Sequence, residues 1–322
     1  MGENLAKLTI LLSLTVLPAS VGYATRRLGL ASEELGRRLM TFVLVFGASS
    51  VGFLSIWSVR IEARQIWLPA LAAVHVVTLV VVGLLLGRLL LRDRAERGLF
   101  GLACGMGNTG HTMGGFVVFL LYGVDGLALS SIYGLMWMPV IVLLVYPIAR
   151  HFAMHEPPES LGTLMLRCLL HWRSLPLPMA ATAIVLSICR VPRPRIVAEW
   201  YILNVLVYTM TSLAYFSIGL RLHLTSVGYL KKQILCLLAM RFVVAAALAL
   251  LLLGLTRLTP WPLMGLARDV FIILSFCPVA VTVVGVANMF TLKARHASVL
   301  FVATTATYLI VVLPLVLWLF GG

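Results

Sequence analysis

Acidic residues are scarce in this chain, 11 Asp plus Glu among 322 residues, and none interrupts an apolar run. From Glu3 to Asp269, all of them fall in loops or at run ends. A sodium- or proton-coupled carrier usually keeps a carboxylate within the membrane to hold its ion. Coupling here is therefore left to backbone carbonyls, His75 or His111, or to the membrane potential alone, worth roughly 2.3 kcal/mol per charge per 100 mV. Charge of either sign is thin, 11% of residues against about a quarter in soluble domains. That excludes a water-soluble enzyme and a disordered regulator. Cysteines number five, Cys104, Cys168, Cys189, Cys236 and Cys277, with no CxxC pair and no His/Cys ligand spacing. Neither a disulfide framework nor a metal site is supported. An intramembrane enzyme needs a buried Ser/His, a paired Asp or a His-Glu-x-x-His arrangement, and none occurs. His155-Glu156-Pro157-Pro158 fails as a zinc motif because its prolines forbid the helix. No cofactor is expected.

Apolar sequence is abundant: 61% of residues are hydrophobic and the mean hydropathy is +1.05. Runs fall at 5–22, 38–57, 66–91, 98–122, 127–149, 174–190, 200–220, 232–255, 267–291 and 296–320. At about 20 residues per span, they predict an all-α polytopic membrane protein of ten transmembrane helices. The first run resembles a signal peptide at Pro18-Ala19-Ser20, but Glu3 and Lys7 cancel in its n-region, so a retained helix is expected. The net charge of +14 would suggest nucleic acid in a soluble protein. Here the basic residues cluster in short segments between apolar runs, as inside-facing loops do, and no nucleic-acid partner is expected. Counting Lys and Arg in alternate loops gives sixteen on one side, including Arg26, Arg94, Lys231 and Lys293, and eight on the other. That bias places both termini outside the cytoplasm, in a multi-pass plasma-membrane protein, or an inner-membrane one if the source is bacterial. Trp57, Trp67, Trp200, Trp261 and Trp318, near span ends, read as interfacial anchors.

The longest segment between spans, 151–173, separates five spans (1–150) from five more (174–322). An odd number per half makes the second half inverted, the common architecture of secondary transporters, with the substrate near the midplane. The fourth span contains Gly107-Asn108-Thr109-Gly110-His111-Thr112-Met113-Gly114-Gly115, and the ninth contains Cys277-Pro278-Val279-Ala280-Val281-Thr282. Each is followed by an apolar span carrying a late proline, Pro139 or Pro147 in one half and Pro314 in the other. Glycine clusters and a central proline break a membrane helix, and broken helices persist where their freed backbone groups line a polar cavity. The candidate substrate residues are Asn108, Thr109, Gly110, His111, Pro278, Val279 and Thr282, with the half-helix N-terminus and the Asn108 amide binding an anionic group. Glycine and threonine also permit tight helix packing, but packing alone does not explain an Asn and a His there. His75 reads as a proton relay or as a neutral ring bonded to a carbonyl. Arg241 reads as a counter-ion for the substrate or as a side chain snorkelling to the surface near Lys231 and Lys232.

At these residues the chain resembles the auxin efflux carrier family, which includes plant auxin exporters and bacterial organic-acid permeases. Gly107-Asn108-Thr109-Gly110 resembles its Gly-Asn-Thr crossover, Ser217-Ile218-Gly219-Leu220-Arg221-Leu222 its Ile-Gly-x-x-Leu ending, and Cys277-Pro278-Val279-Ala280-Val281 with Leu313-Pro314-Leu315 its ninth and tenth helices. The resemblance implies ten helices in two inverted repeats with broken, crossing helices 4 and 9. Helices 1, 2, 6 and 7 would form a scaffold that dimerises, and helices 3–5 with 8–10 a mobile elevator domain. It also implies that Asn108 and Thr109 contact the carboxylate of a small organic anion and that Pro278 marks the second crossover. The partners expected are that anion, membrane lipid and a second copy of the chain. Two positions depart from the family: Gly115 stands where members usually have proline, and Thr282 where they tend to have Asn. The bile acid/sodium symporter family shares the layout, but its acidic residue and Gln-Asn pair for sodium are missing here.

Overall fold

In the computed structural model, residues 2–153, 160, 162, 163, 166, 172–222 and 230–321 are described. Of the expected linker, residues 154–159, which include His155 and Glu156, and most of 161–171 lie outside them. The described residues are helical, with no strand and a single isolated antiparallel bridge, Gly107 to Val279. The principal helices are α1 (Gly2–Arg27), α2 (Glu33–Ser58), α3 (Ala63–Leu90), α4 (Arg94–Gly105), α5 (114–122), α6 (124–152), α7 (Pro176–Ile188), α8 (Ile202–Leu220), α9 (Lys231–Thr256), α10 (Gly265–Ser275), α11 (Val281–Met289) and α12 (Ala294–Phe320). Seven helical stretches among the described residues are long and apolar enough to cross a membrane. The chain is an all-α membrane protein.

One of those seven, Gly114–Phe152, runs for 39 residues but is not one rod. Gly123 has φ 63°, ψ −147°, a conformation open to glycine and costly for other residues. A Cβ on Gly115 would lie 2.9 Å from Ser130 Oγ, although 15 residues of straight helix span about 22 Å. The chain therefore turns back at Gly123, and α5 and α6 pack side by side. In the other half, positive φ at Thr291 and Lys293 brings α12 back along α11, so that Thr304 Oγ1 accepts from Val279 N at 3.2 Å.

Local chemistry sets the helix ends. Ser32 Oγ caps α2 by accepting from Leu35 N (3.2 Å), and Asp93 Oδ1 caps α4 by accepting from Glu96 N (3.0 Å). Late prolines are met in the same way twice. A five-residue π-helical turn, Ile141–Val145, precedes Pro147, and another, Tyr308–Val312, precedes Pro314. Proline donates no N–H and crowds the carbonyl four residues back; a π turn widens the helix at that carbonyl.

The two ends of the bundle can be told apart from side-chain ties. At one end Arg26 donates to Leu222 O (2.5 Å), Lys293 pairs with Asp93 (3.3 Å), and Glu96 receives Gln233 (3.1 Å) and faces His296 (3.3 Å). At the other, Trp57 Nε1 donates to Val191 O, Ser187 Oγ to Val59 O, and Asn4 Nδ2 to Leu317 O. Both chain ends thus lie on one side, opposite the Arg26, Asp93 and Lys293 loops.

Asp93 ties this first end to α4. Its carboxyl is held below the usual range, first by the Glu96 amide donating to it, against a smaller upward push from burial, and then by Lys293. A depressed pKa means its contribution is present above the ordinary carboxylate value near 4 and lost as pH falls through the lowered value. Asp93→Ala is expected to cost about 1 kcal/mol at pH 7, and the gap from wild type should narrow at about pH 3. Melting both proteins at the two values checks it; an unchanged gap would show that the cap contributes nothing through its charge.

Candidate functional site

Between α4 and α5 the chain leaves the helix over residues 106–113, and between α10 and α11 over 276–280. The two gaps meet. Asn108 N donates to Pro278 O (2.7 Å) and Ala280 N to Met106 O (2.8 Å), the reciprocal pair that makes the bridge. Each gap thereby satisfies backbone groups that its own helix has released, which lipid would not do. A Cβ on Gly107 would overlap Arg241 Nη2, so that a side chain there would have to displace the guanidinium. Gly114 is just as confined, against Cys277 Sγ, Leu274 and the Thr109 backbone.

Arg241 is the centre of the polar contacts. It is 1% exposed, near the middle of α9, in a π-helical turn spanning Met240–Val244. Its Nε donates to Cys277 O (3.0 Å), its Nη1 to Cys104 O (3.1 Å) and Gly105 O (3.4 Å), and its Nη2 also to Cys277 O. Among the described residues it makes no ion pair. Of the two readings of Arg241, the snorkelling one does not fit this burial. The carbonyl ends of α4 and α10 carry partial negative charge, and the guanidinium turns inward to them. Its donors are engaged by the backbone, which leaves little of the fork for a direct counter-ion role.

The remaining candidates divide. Asn108 and Thr109 are buried, 6% and 4% exposed, whereas Gly110 is exposed and His111 and Thr282 are half-buried. Asn108 Oδ1 faces Thr112 Oγ1 at 3.5 Å, and its Nδ2 has no partner among the described residues. Thr109 Oγ1 accepts from Trp137 Nε1 (2.9 Å). His111 Nε2 is buried with no hydrogen-bond partner among the described residues, while His111 O accepts from Thr211 Oγ1 of α8 (3.3 Å). Pro278 and Val279 contribute backbone to the bridge rather than side-chain chemistry. His75 lies apart from this group, bonded through Nε2 to Ala245 O of α9 (2.9 Å) and edge-on to Phe271. That is the carbonyl-bonded arrangement.

The first amides of α5 are already used: Gly114 N donates to Asn108 O (3.0 Å), and Gly115 N to Gly110 O (2.9 Å) and Thr109 O (3.2 Å). An anion would meet the field of this helix end and the Asn108 amide, not those two N–H groups. The Gly115 departure has a local reason as well, because proline there would donate to neither carbonyl.

Three residues that sequence reasoning passed over help to build the site: Trp137, Thr211 and Thr304. Trp137 stands inside an apolar run rather than at its end, and Thr304-Thr305 is a polar pair inside another; both were visible signals. The Tyr308 hydroxyl and Thr305 Oγ1 are buried without hydrogen-bond partners among the described residues. No family model and no curated protein matches this chain.

Proposed function

We propose that this chain is a secondary transporter of small organic anions, of the auxin efflux carrier type, with its substrate at the crossing of two broken helices. The observation that carries the reading is the meeting of the two helix gaps across Gly107 and Val279, beside the amide of Asn108. In a membrane, irregular backbone that pairs with irregular backbone near the middle of the helices is the usual form of a substrate site. Carboxylates are the substrate class because the gap holds the Asn108 amide, the His111 imidazole and the positive fields of the starts of α5 and α11, with no acidic side chain beside them among the described residues.

Ten spans in two inverted repeats follow if α4 with α5 and α10 with α11 each count as one broken span, and if α6 and α7 are added to the other six helices. Support comes from the bridge, in which residue 108 bonds residue 278 and residue 106 bonds residue 280, so that the break in one half meets the break in the other. The paired π turns before Pro147 and Pro314 agree with this. In the elevator reading, α1, α2, α7 and α8 form the dimerising scaffold and the rest the moving part. The termini face out of the cytoplasm, because the loops on the other side are the richer in Arg and Lys.

The test is uptake or charge movement in proteoliposomes across a panel of monocarboxylates and dicarboxylates, with and without sodium and a pH gradient. Asn108→Ala is expected to lower the flux at least tenfold, since a hydrogen bond to a charged group is worth about 1.5–3 kcal/mol. Flux unchanged by Asn108→Ala would remove the site assignment, and the absence of flux with every anion would remove the function.

A further inference from the structure

Resting on that transport reading, we infer that the Arg241 guanidinium is a tethered cation, filling the place at the crossover where a carrier of this layout would otherwise hold a coupling ion. The carbonyl ends of two half-helices, α4 and α10, converge on one point. Half-helix C-termini and unwound carbonyls are what coordinate sodium or a proton in broken-helix carriers. Here three carbonyl oxygens, of Cys104, Gly105 and Cys277, face one guanidinium. Each helix end carries about half a negative charge, so one fixed positive charge balances the two together. The opposite helix ends, at Gly114 and Val281, keep their positive field, and the scarcity of intramembrane carboxylate leaves nothing to cancel it.

Arg241 is thus a positioning residue. It holds α4 and α10 end to end and keeps the anion face charged without help from solution. Two neighbours show that the place is shaped for it. Gly107 has no room for a Cβ beside Nη2, and Cys277 O receives two of the guanidinium donors. A mobile sodium ion would need neither feature. Binding and movement of the organic anion should therefore be indifferent to which monovalent cation is present, and removing the tethered charge should create a cation requirement that the wild type lacks.

The experiment melts the purified full-length protein, with no organic anion added, in choline, sodium, potassium or guanidinium chloride at one ionic strength. It also measures carboxylate flux in the same salts. Wild type should melt alike in choline, sodium and potassium, and lower in guanidinium only by that salt's general denaturing effect. Arg241→Gln should melt lower in choline and recover by several degrees, of order 3 °C, in sodium or guanidinium, with flux rising about tenfold in parallel, as expected of a ligand that binds only the folded state. Arg241→Lys, which keeps the charge but lacks the fork, should melt lower than wild type yet show no dependence on the salt beyond that of wild type. A folded Arg241→Gln protein with identical melting in all salts overturns the inference, as does a wild type that needs sodium or potassium. If Arg241→Gln cannot be purified in any salt, wild-type flux decides alone: cation-independent flux supports the inference and cation-dependent flux overturns it. Melting needs no substrate, so failure of the transport reading shows up separately, as missing flux beside an intact salt response.

Discussion

Gly107→Ala is expected to be among the most damaging single-methyl changes in this protein, destabilising it by about 4 kcal/mol and reducing any carboxylate flux below detection. The added Cβ falls on Arg241 Nη2, and neither partner has an easy retreat. Gly107 is fixed by the bridge to Val279, and the guanidinium is fixed by the carbonyls of Cys104, Gly105 and Cys277. Overpacking alone costs about 1–3 kcal/mol; prising a buried charge from its partners adds more, because water cannot reach it. The check is a double-mutant cycle read by melting. Adding the shorter Arg241→Gln to Gly107→Ala should recover part of the loss, with a coupling of about 1–3 kcal/mol. Additive losses would mean that the two side chains do not meet. Gly254→Ala, in α9 with open space around its Cβ position, is the control and should be neutral or slightly stabilising.

Much of the helical layout was legible in the sequence, because a span needs a long apolar run and lipid accepts little else. The run at 232–255 became Lys231–Thr256, and the run at 296–320 became Ala294–Phe320. The run at 5–22 fell short, since α1 extends to Arg27; charged residues beyond the apolar stretch carry the helix onward and defeat a hydropathy boundary. The breaks at 106–113 and 276–280 were legible as well, because glycine and proline act through the backbone, which composition reports directly. What was not legible is where a side chain points. Arg241 lies ten residues from Lys231, a spacing that suits an arginine reaching for the surface as well as one turned inward. Only the convergence of two other segments, about 137 and 36 residues away along the chain, decides between them. The amides of Gly114 and Gly115 show the same limit: the sequence marks an open helix end, and the fold closes it on its own carbonyls.

Gly219→Ala should separate α1 from α8 and cost about 3 kcal/mol, the upper part of the usual range for overpacking. In membranes helices associate through close packing of small residues rather than through burial of apolar surface, and this pair depends on two glycines that face each other's backbones. A Cβ on Gly219 would overlap Ala19 O and press on Tyr23 N at 2.9 Å, while one on Gly22 would overlap Phe216 O and press on Leu220 N at 3.1 Å. Both obstacles are main chain, so no rotamer change relieves them; the helices must move apart. Such a movement would draw with it Ser217, whose hydroxyl donates to Gly36 O at 2.7 Å, and Thr211, whose hydroxyl reaches His111 O. The glycine near the end of α8 therefore secures a helix crossing on one side and, through Thr211, borders the crossover on the other. Gly22→Ala should cost a similar amount. The two together should cost clearly less than the sum, because a pair of helices already parted for one methyl has room for the second. Thermal unfolding of the two single variants and the double variant, followed by tryptophan fluorescence, measures this. Two additive losses would show that the glycines act separately, and single variants as stable as wild type would show that α1 and α8 do not approach this closely in the membrane.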